Sequence, residues 1–114
     1  IVEDETFNFL YLKELLKNQK NRILHAPNGK IAVDLCQEND DISLVLMDLK
    51  MPVMDGETAA KEIKKMKPFL PIIAQTAYIL EDDKNKAYSV FDDFLTKPIK
   101  REVLSEKLDK FLIR

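Results

Sequence analysis

The chain has 114 residues, of which 46% are hydrophobic and 33% charged, and its net charge is −2. That length suits one domain with its own core, and the composition is that of a globular chain rather than a disordered one. The near-neutral balance argues against a nucleic-acid arm, and no apolar run approaches the ~20 residues of a membrane span. No signal-peptide pattern opens the chain, since charge begins at Glu3. The single cysteine, Cys36, has no partner for an internal disulfide, so a reducing, cytoplasmic setting is expected.

Taken in order, helical and extended patterns alternate. Ile1-Val2 reads as the stub of a first strand, so residues 1–114 are expected to form one domain whose first strand is truncated at its N-terminus. Whether it is free-standing or excised from a longer protein stays open, and the abrupt start favours excision. Thr6 to Lys17 carries Phe7, Leu10, Tyr11 and Leu15 at helical spacing, with Phe9, Leu12 and Leu16 widening the stripe. Arg22 to Ala26 is a short strand closed by the turn signal Pro27-Asn28-Gly29. Lys30 to Glu38 sets Ala32, Leu35 and Cys36 on one helical face, and Ser43 to Met47 reads as a strand buried on both sides, apolar without a break from Leu44 to Met47. Glu57 to Lys67 is helical, with Ala59, Ile63 and Met66 in phase, and Pro71 to Ala74 is extended. Glu81 to Val90 reads as a helix whose first turn holds Glu81, Asp82 and Asp83, which suits the positive end of the helix dipole. Phe94-Leu95 is a last strand, and Arg101 to Ile113 a last helix.

The order βαβαβαβαβα predicts an α/β fold with a parallel five-stranded sheet and helices on both faces. Strands that are apolar throughout rather than alternating support this. Five strands of this kind favour the flavodoxin-like (βα)5 arrangement with strand order 2-1-3-4-5.

In such a sheet every strand ends on the same edge, and ligands bind where the strand order reverses. Glu3 and Asp4 follow the first strand, Asp48 the third, Gln75 and Thr76 the fourth, and Thr96 and Lys97 the fifth. The stated order brings Glu3, Asp4 and Asp48 together. A close carboxylate pair costs roughly 4 kcal/mol at an effective dielectric of 20. The cluster therefore calls for a cation, and oxygen ligands with room for water suit Mg²⁺. Lys97 adds a fixed positive charge for a phosphoryl oxygen, and Thr76 a hydroxyl donor. Together these groups make a site for phosphoryl transfer onto Asp48.

The stretches "VEDE", "LVLMDLKMPVMDG", "QTAY" and "DDFLTKP" resemble the receiver domain of two-component response regulators over nearly the whole chain. The aromatic first helix, "ETFNFLYLKELL", is similar to receivers of hybrid sensor histidine kinases, a narrower and less specific match. The resemblance implies that Asp48 accepts a phosphoryl group from a phosphohistidine on a histidine kinase or histidine phosphotransfer domain. It implies Mg²⁺, with Mn²⁺ as an alternative, on Glu3, Asp4, Asp48 and the backbone carbonyl of Lys50. Lys97 would pair with the phosphoryl group, and Thr76 would turn its hydroxyl toward it. Phe94 would be the aromatic that swings inward with Thr76, and the Lys97-Pro98 bond would be cis. The output surface would be the fourth helix, fifth strand and fifth helix, which could also mediate a homodimer. Lys50 and Tyr78 would tune hydrolysis of the acyl phosphate. The resemblance implies no nucleic-acid or direct membrane contact for this domain, and a cytoplasmic location even within a membrane-bound kinase. It also implies a domain that catalyses its own phosphorylation and slow dephosphorylation but turns over no separate substrate. Receivers usually have a small residue and a glycine where this chain has Val90 and Phe91, so the preceding helix is expected to end differently.

Each residue alone has a plainer role. Glu3 and Asp4 could cap the following helix, Asp48 could be a strand-end turn residue, Thr76 a capping hydroxyl and Lys97 a solvated lysine. His25 reads as a strand-end residue, since no second His or Cys stands at metal spacing, and Cys36 and the methionines read as packing. Asp55-Gly56 reads as turn and helix-start chemistry, Asp92-Asp93 as a solvated turn, and Lys64, Lys65 and Lys67 as a helix C-terminus favoured by the dipole. The alternative function is a receiver-like module that works by protein contact without phosphate. An aspartyl-phosphate phosphatase is disfavoured because Lys50 stands where a second acid is needed, and a flavin site because no phosphate loop follows the first strand.

Overall fold

The computed structural model describes residues 1–17, 22–49, 51, 53–77 and 90–112. Three strands, β1 (Val45–Asp48), β2 (Ile72–Thr76) and β3 (Asp93–Thr96), form a parallel sheet in the order β1-β2-β3. Four helices are described: α1 (Thr6–Leu16), α2 (Gly29–Glu38), α3 (Gly56–Met66) and α4 (Arg101–Phe111).

The first two expected strands are reduced to isolated bridges. Val2 pairs in parallel with Met47 on one side and with Ala26 on the other. The backbone N–H groups of Val2 and Asp48 bond to the carbonyls of Leu46 and Val2, at 2.7 and 3.0 Å. The lateral order is thus Ala26, Val2, β1, β2, β3, the sequence of neighbours that the order 2-1-3-4-5 requires.

Strand residues alternate between two apolar layers. Val2, Val45, Met47, Ile72 and Ala74 pack with Ala32 and Cys36 of α2 and Ala59, Ala60 and Ile63 of α3. Leu46, Ile73 and Leu95 pack with Leu12, Leu15 and Leu16 of α1 and Leu104 and Leu108 of α4. Covering both faces explains why β1 and β2 are apolar up to their C-terminal ends, and each fully buried Leu or Ile contributes about 1.5–3 kcal/mol. Asn28 caps α2 by accepting from the Ile31 N–H at 2.9 Å, and Asp55 caps α3 by accepting from Thr58 at 2.8 Å.

Three expectations need correction. In α1 the buried face is Leu12, Leu15 and Leu16, while Phe7, Leu10 and Tyr11 are exposed. The helix is apolar on most sides, so periodicity did not single out one face. Asp92 and Asp93 are anchors rather than a solvated turn. Asp92 accepts from the Ile72 N–H at 2.8 Å and from Lys64 at 2.7 Å, and Lys64 also donates to the Leu70 carbonyl. Asp93 accepts from Lys107 at 2.9 Å and from the Phe94 N–H at 2.8 Å. The Lys64–Lys67 cluster does more than face its helix dipole, since Lys67 donates to the Asn39 carbonyl at 2.7 Å. The expected helix Glu81–Val90 lies outside the described residues except for Val90, which sits in a turn. The last helix ends at Phe111.

Candidate functional site

The site forms at the C-terminal edge of the sheet. Asp48 is the last residue of β1, and the Val2–Met47 bridge sets Glu3 beside it on the same sheet face. Glu3, Asp4 and Asp48 each bring a carboxylate oxygen within 4.8 Å of the others. Glu3 and Asp48 are buried, at 0% and 5% exposure, while Asp4 is open to solvent. Lys97, just after β3, reaches into the cluster. Its Nζ lies 3.3 Å from Asp48 Oδ2 and 3.6 Å from Glu3 Oε2.

Electrostatics follow from this crowding. Burial pushes the Glu3 carboxyl up to about 7, Asp48 adds to the rise, and Lys97 and the Glu5 N–H oppose it. Glu3 Oε1 accepts from Glu5 N–H at 3.3 Å, whereas Glu3 Oε2 is buried without a hydrogen-bond partner among the described residues. A buried acidic oxygen in that state fits a place for a hard cation, and a trio of oxygen donors fits Mg²⁺ better than a softer metal.

Thr76 ends β2 at the same edge, and the Lys97 N–H bonds to its carbonyl at 2.8 Å. By alternation it shares a sheet face with Phe94, opposite the face of Asp48. Phe94 is half-buried and meets Phe91 edge to face, with ring centroids 6.0 Å apart. The Lys97–Pro98 peptide is cis. Lys50 and Tyr78 lie outside the described residues, so the structure neither joins them to the cluster nor separates them from it.

Local structure around Asp48 is tight. Val53, in the loop to α3, has φ of 71°, rare for a β-branched residue. Gly56 lies against the backbone of Asp48 and Leu49, and its N–H bonds to the Leu49 carbonyl at 3.1 Å. The Asp-Gly pair marks a turn in the sequence but not this close approach. His25 also does more than end a strand. Its ring stacks on Phe9 at 3.8 Å, and Nε2 lies 2.9 Å from the Glu3 carbonyl. A carbonyl only accepts, so Nε2 carries the hydrogen. Among the described residues it joins no metal-ligand group.

The family model described as "Response regulator receiver domain" matches residues 1–109. The chain belongs to the response regulator receiver domain family. This receiver is 35% identical over 118 residues to "Hybrid signal transduction histidine kinase I" of Dictyostelium discoideum, covering 96% of this chain and 7% of that protein. The chain thus spans a small part of that relative's length. Its fold matches the receiver domain of sensor histidine kinase PA1611 from Pseudomonas aeruginosa PAO1, with 31% identity, a TM-score of 0.87, and coverage of 96% and 92% of the two chains. That structure has a magnesium ion coordinated in its active site cleft. A third match is the receiver domain of the Saccharomyces cerevisiae response regulator Ssk1, solved with the histidine phosphotransfer signaling protein Ypd1. It shows 32% identity, a TM-score of 0.87, and coverage of 96% and 84%. Among the described residues, no helix of this receiver is long and apolar enough to cross a membrane.

Proposed function

We propose that this receiver is the phosphoacceptor of a phosphorelay and that Asp48 carries the phosphoryl group. The observation that carries the proposal is the Lys97 ammonium, 3.3 Å from Asp48 and 3.6 Å from Glu3, in a cluster of three converging carboxylates. A fixed cation beside a buried acid is what a transferring phosphoryl group needs, because such transfers depend on position and charge neutralisation. An Asp48 oxygen forms the new P–O bond. The P–N bond of the partner's phosphohistidine breaks, and its electron pair returns to the imidazole.

Glu3, Asp4, Asp48 and the backbone carbonyl of Lys50 would hold Mg²⁺ or Mn²⁺. The bound ion supplies neutralisation of the carboxylates and of the phosphoryl oxygens. The hydroxyl of Thr76 and the ring of Phe94 form the switch pair, and Lys50 and Tyr78 tune hydrolysis. The partner is a histidine kinase or a histidine phosphotransfer domain, by analogy with the yeast complex. The output face includes β3 and α4, and a homodimer would use the same face. The complete sheet is a five-stranded (βα)5 in the order 2-1-3-4-5, and residues 1–114 are one domain on the cytoplasmic side. The domain turns over no separate substrate.

The test is incubation with Mg²⁺ and a small phosphodonor, followed by mass spectrometry of the intact protein. The proposal expects one acid-stable, base-labile phosphate, lost on chelation of Mg²⁺ beforehand and absent from Asp48→Asn. A wild-type protein without an adduct contradicts it and leaves a phosphate-independent interaction module.

A further inference from the structure

Gln75 is a buried polar side chain near the C-terminal edge of the sheet. It sits within β2, is 1% exposed, and is flanked in sequence by Ala74 and Thr76. Among the described residues neither its Nε2 nor its Oε1 has a hydrogen-bond partner. A buried amide in that state costs about 1–3 kcal/mol, so it persists where another state of the molecule engages it.

The sheet register identifies its neighbour. Gln75 is the direct parallel partner of Asp48, so both side chains leave the sheet on one face. Glu3 stands on the other flank of Asp48 on that same face. The row Glu3, Asp48, Gln75 therefore crosses three neighbouring segments at one level. Lys97 takes the Glu3 side of Asp48, at 3.3 and 3.6 Å from the two acids. Gln75 is the neighbour of Asp48 on its other flank in that row.

We propose that Gln75 is a positioning residue for Asp48. Its Nε2–H donates to the Asp48 carboxyl oxygen once Mg²⁺ and the phosphoryl group draw the charges of the site together. An amide is suited to this place because it offers a donor to an acceptor-only carboxylate without adding charge beside Lys97. A leucine or methionine would serve packing better and would do nothing for the acid. The inference rests on the phosphoacceptor role of Asp48.

The test uses ¹⁵N-labelled protein with Mg²⁺ and beryllium trifluoride as an inert phosphoryl mimic. Three glutamines are present, and the Gln75 side-chain amide is assigned by its loss in Gln75→Met. The proposal expects that amide pair to shift on loading and its solvent exchange to slow about tenfold, the effect of one hydrogen bond to a charged group. It also expects a change of sign in stability. Gln75→Met unfolds at a higher temperature than wild type without ligand, since the orphaned amide is gone, and gains less on loading. Gln75→Asn, which keeps an amide, recovers part of that gain. A purely structural glutamine would leave the gain on loading equal in wild type and Gln75→Met. Phosphate on Asp48 with an unmoved Gln75 amide and equal gains overturns this inference alone. No phosphate on Asp48 in wild type overturns the phosphoacceptor role and this inference together.

Discussion

Gly56 and Asp48 are in backbone contact: a β-carbon on Gly56 would stand 2.2 Å from the Asp48 carbonyl oxygen and 2.9 Å from Leu49 Cα. The start of α3 is thus pressed onto the end of β1, and both neighbours are backbone, which cannot swing aside. Gly56→Ala is expected to cost about 1–3 kcal/mol, as overpacking does, and to lower the melting temperature accordingly. Because the displaced segment carries Asp48, phosphorylation by a small donor should slow as well. A variant with wild-type melting and wild-type labelling would show that the loop yields freely.

Strain in the same loop is concentrated at Val53, which is 82% exposed with φ of 71°. Nothing about its burial repays that conformation, whose cost is about 1–3 kcal/mol. Val53→Gly is expected to raise stability by about 1 kcal/mol, measured by urea unfolding. A loss of stability would mean that the valine side chain makes contacts worth more than its strain.

Asp93 gives the fold a predictable dependence on acid. Burial alone would raise its carboxyl, but Lys107, the Phe94 N–H and Lys110 together hold it below the usual 3.8. A carboxyl depressed in the folded state adds stability that is fully present above the unfolded value. That stability is lost as the pH falls through the folded value. Asp93→Asn should therefore cost about 1–2 kcal/mol at pH 7, and the difference from wild type should close as the pH is taken below 3.8. Urea unfolding of both proteins at neutral and acidic pH checks this. A penalty independent of pH would assign the effect to packing.

Asp92 makes a similar tie between elements, joining the start of β2 to Lys64 of α3 at 2.8 and 2.7 Å. Asp92→Ala leaves the Ile72 N–H without its acceptor and should lower stability by about 1–3 kcal/mol. Hydrogen exchange at Ile72 should rise with it, and an unchanged exchange rate there would contradict the tie.

Much of this architecture was legible in the sequence because two signals coincide. The unbroken run Leu44 to Met47 marks a strand covered on both faces, and the acid that ends it marks the sheet edge. The same logic located Glu3, Asp4 and Lys97, which the structure brings together at 3.3–4.8 Å. What stayed hidden depends on partners far away in the chain. Asp92 and Asp93 look like turn residues until Lys64 and Lys107 are seen beside them. The buried side of α1 is not legible in the sequence because Phe7, Leu10 and Tyr11 share the helix with the large apolar Leu12, Leu15 and Leu16, and only packing against Leu46 and Ile73 distinguishes them. Gln75 stands at the sheet edge in the sequence, but its burial, and the lack of a partner for its amide among the described residues, show only in the folded chain.

The most direct measurement is transfer of labelled phosphate from a phosphorylated histidine phosphotransfer domain, with Mg²⁺, to wild type and to Asp48→Asn. The account predicts that label moves to the wild-type chain, maps to Asp48 and fails to reach the variant. Label on the variant, or none on the wild type from any phosphohistidine or small phosphodonor, would contradict it.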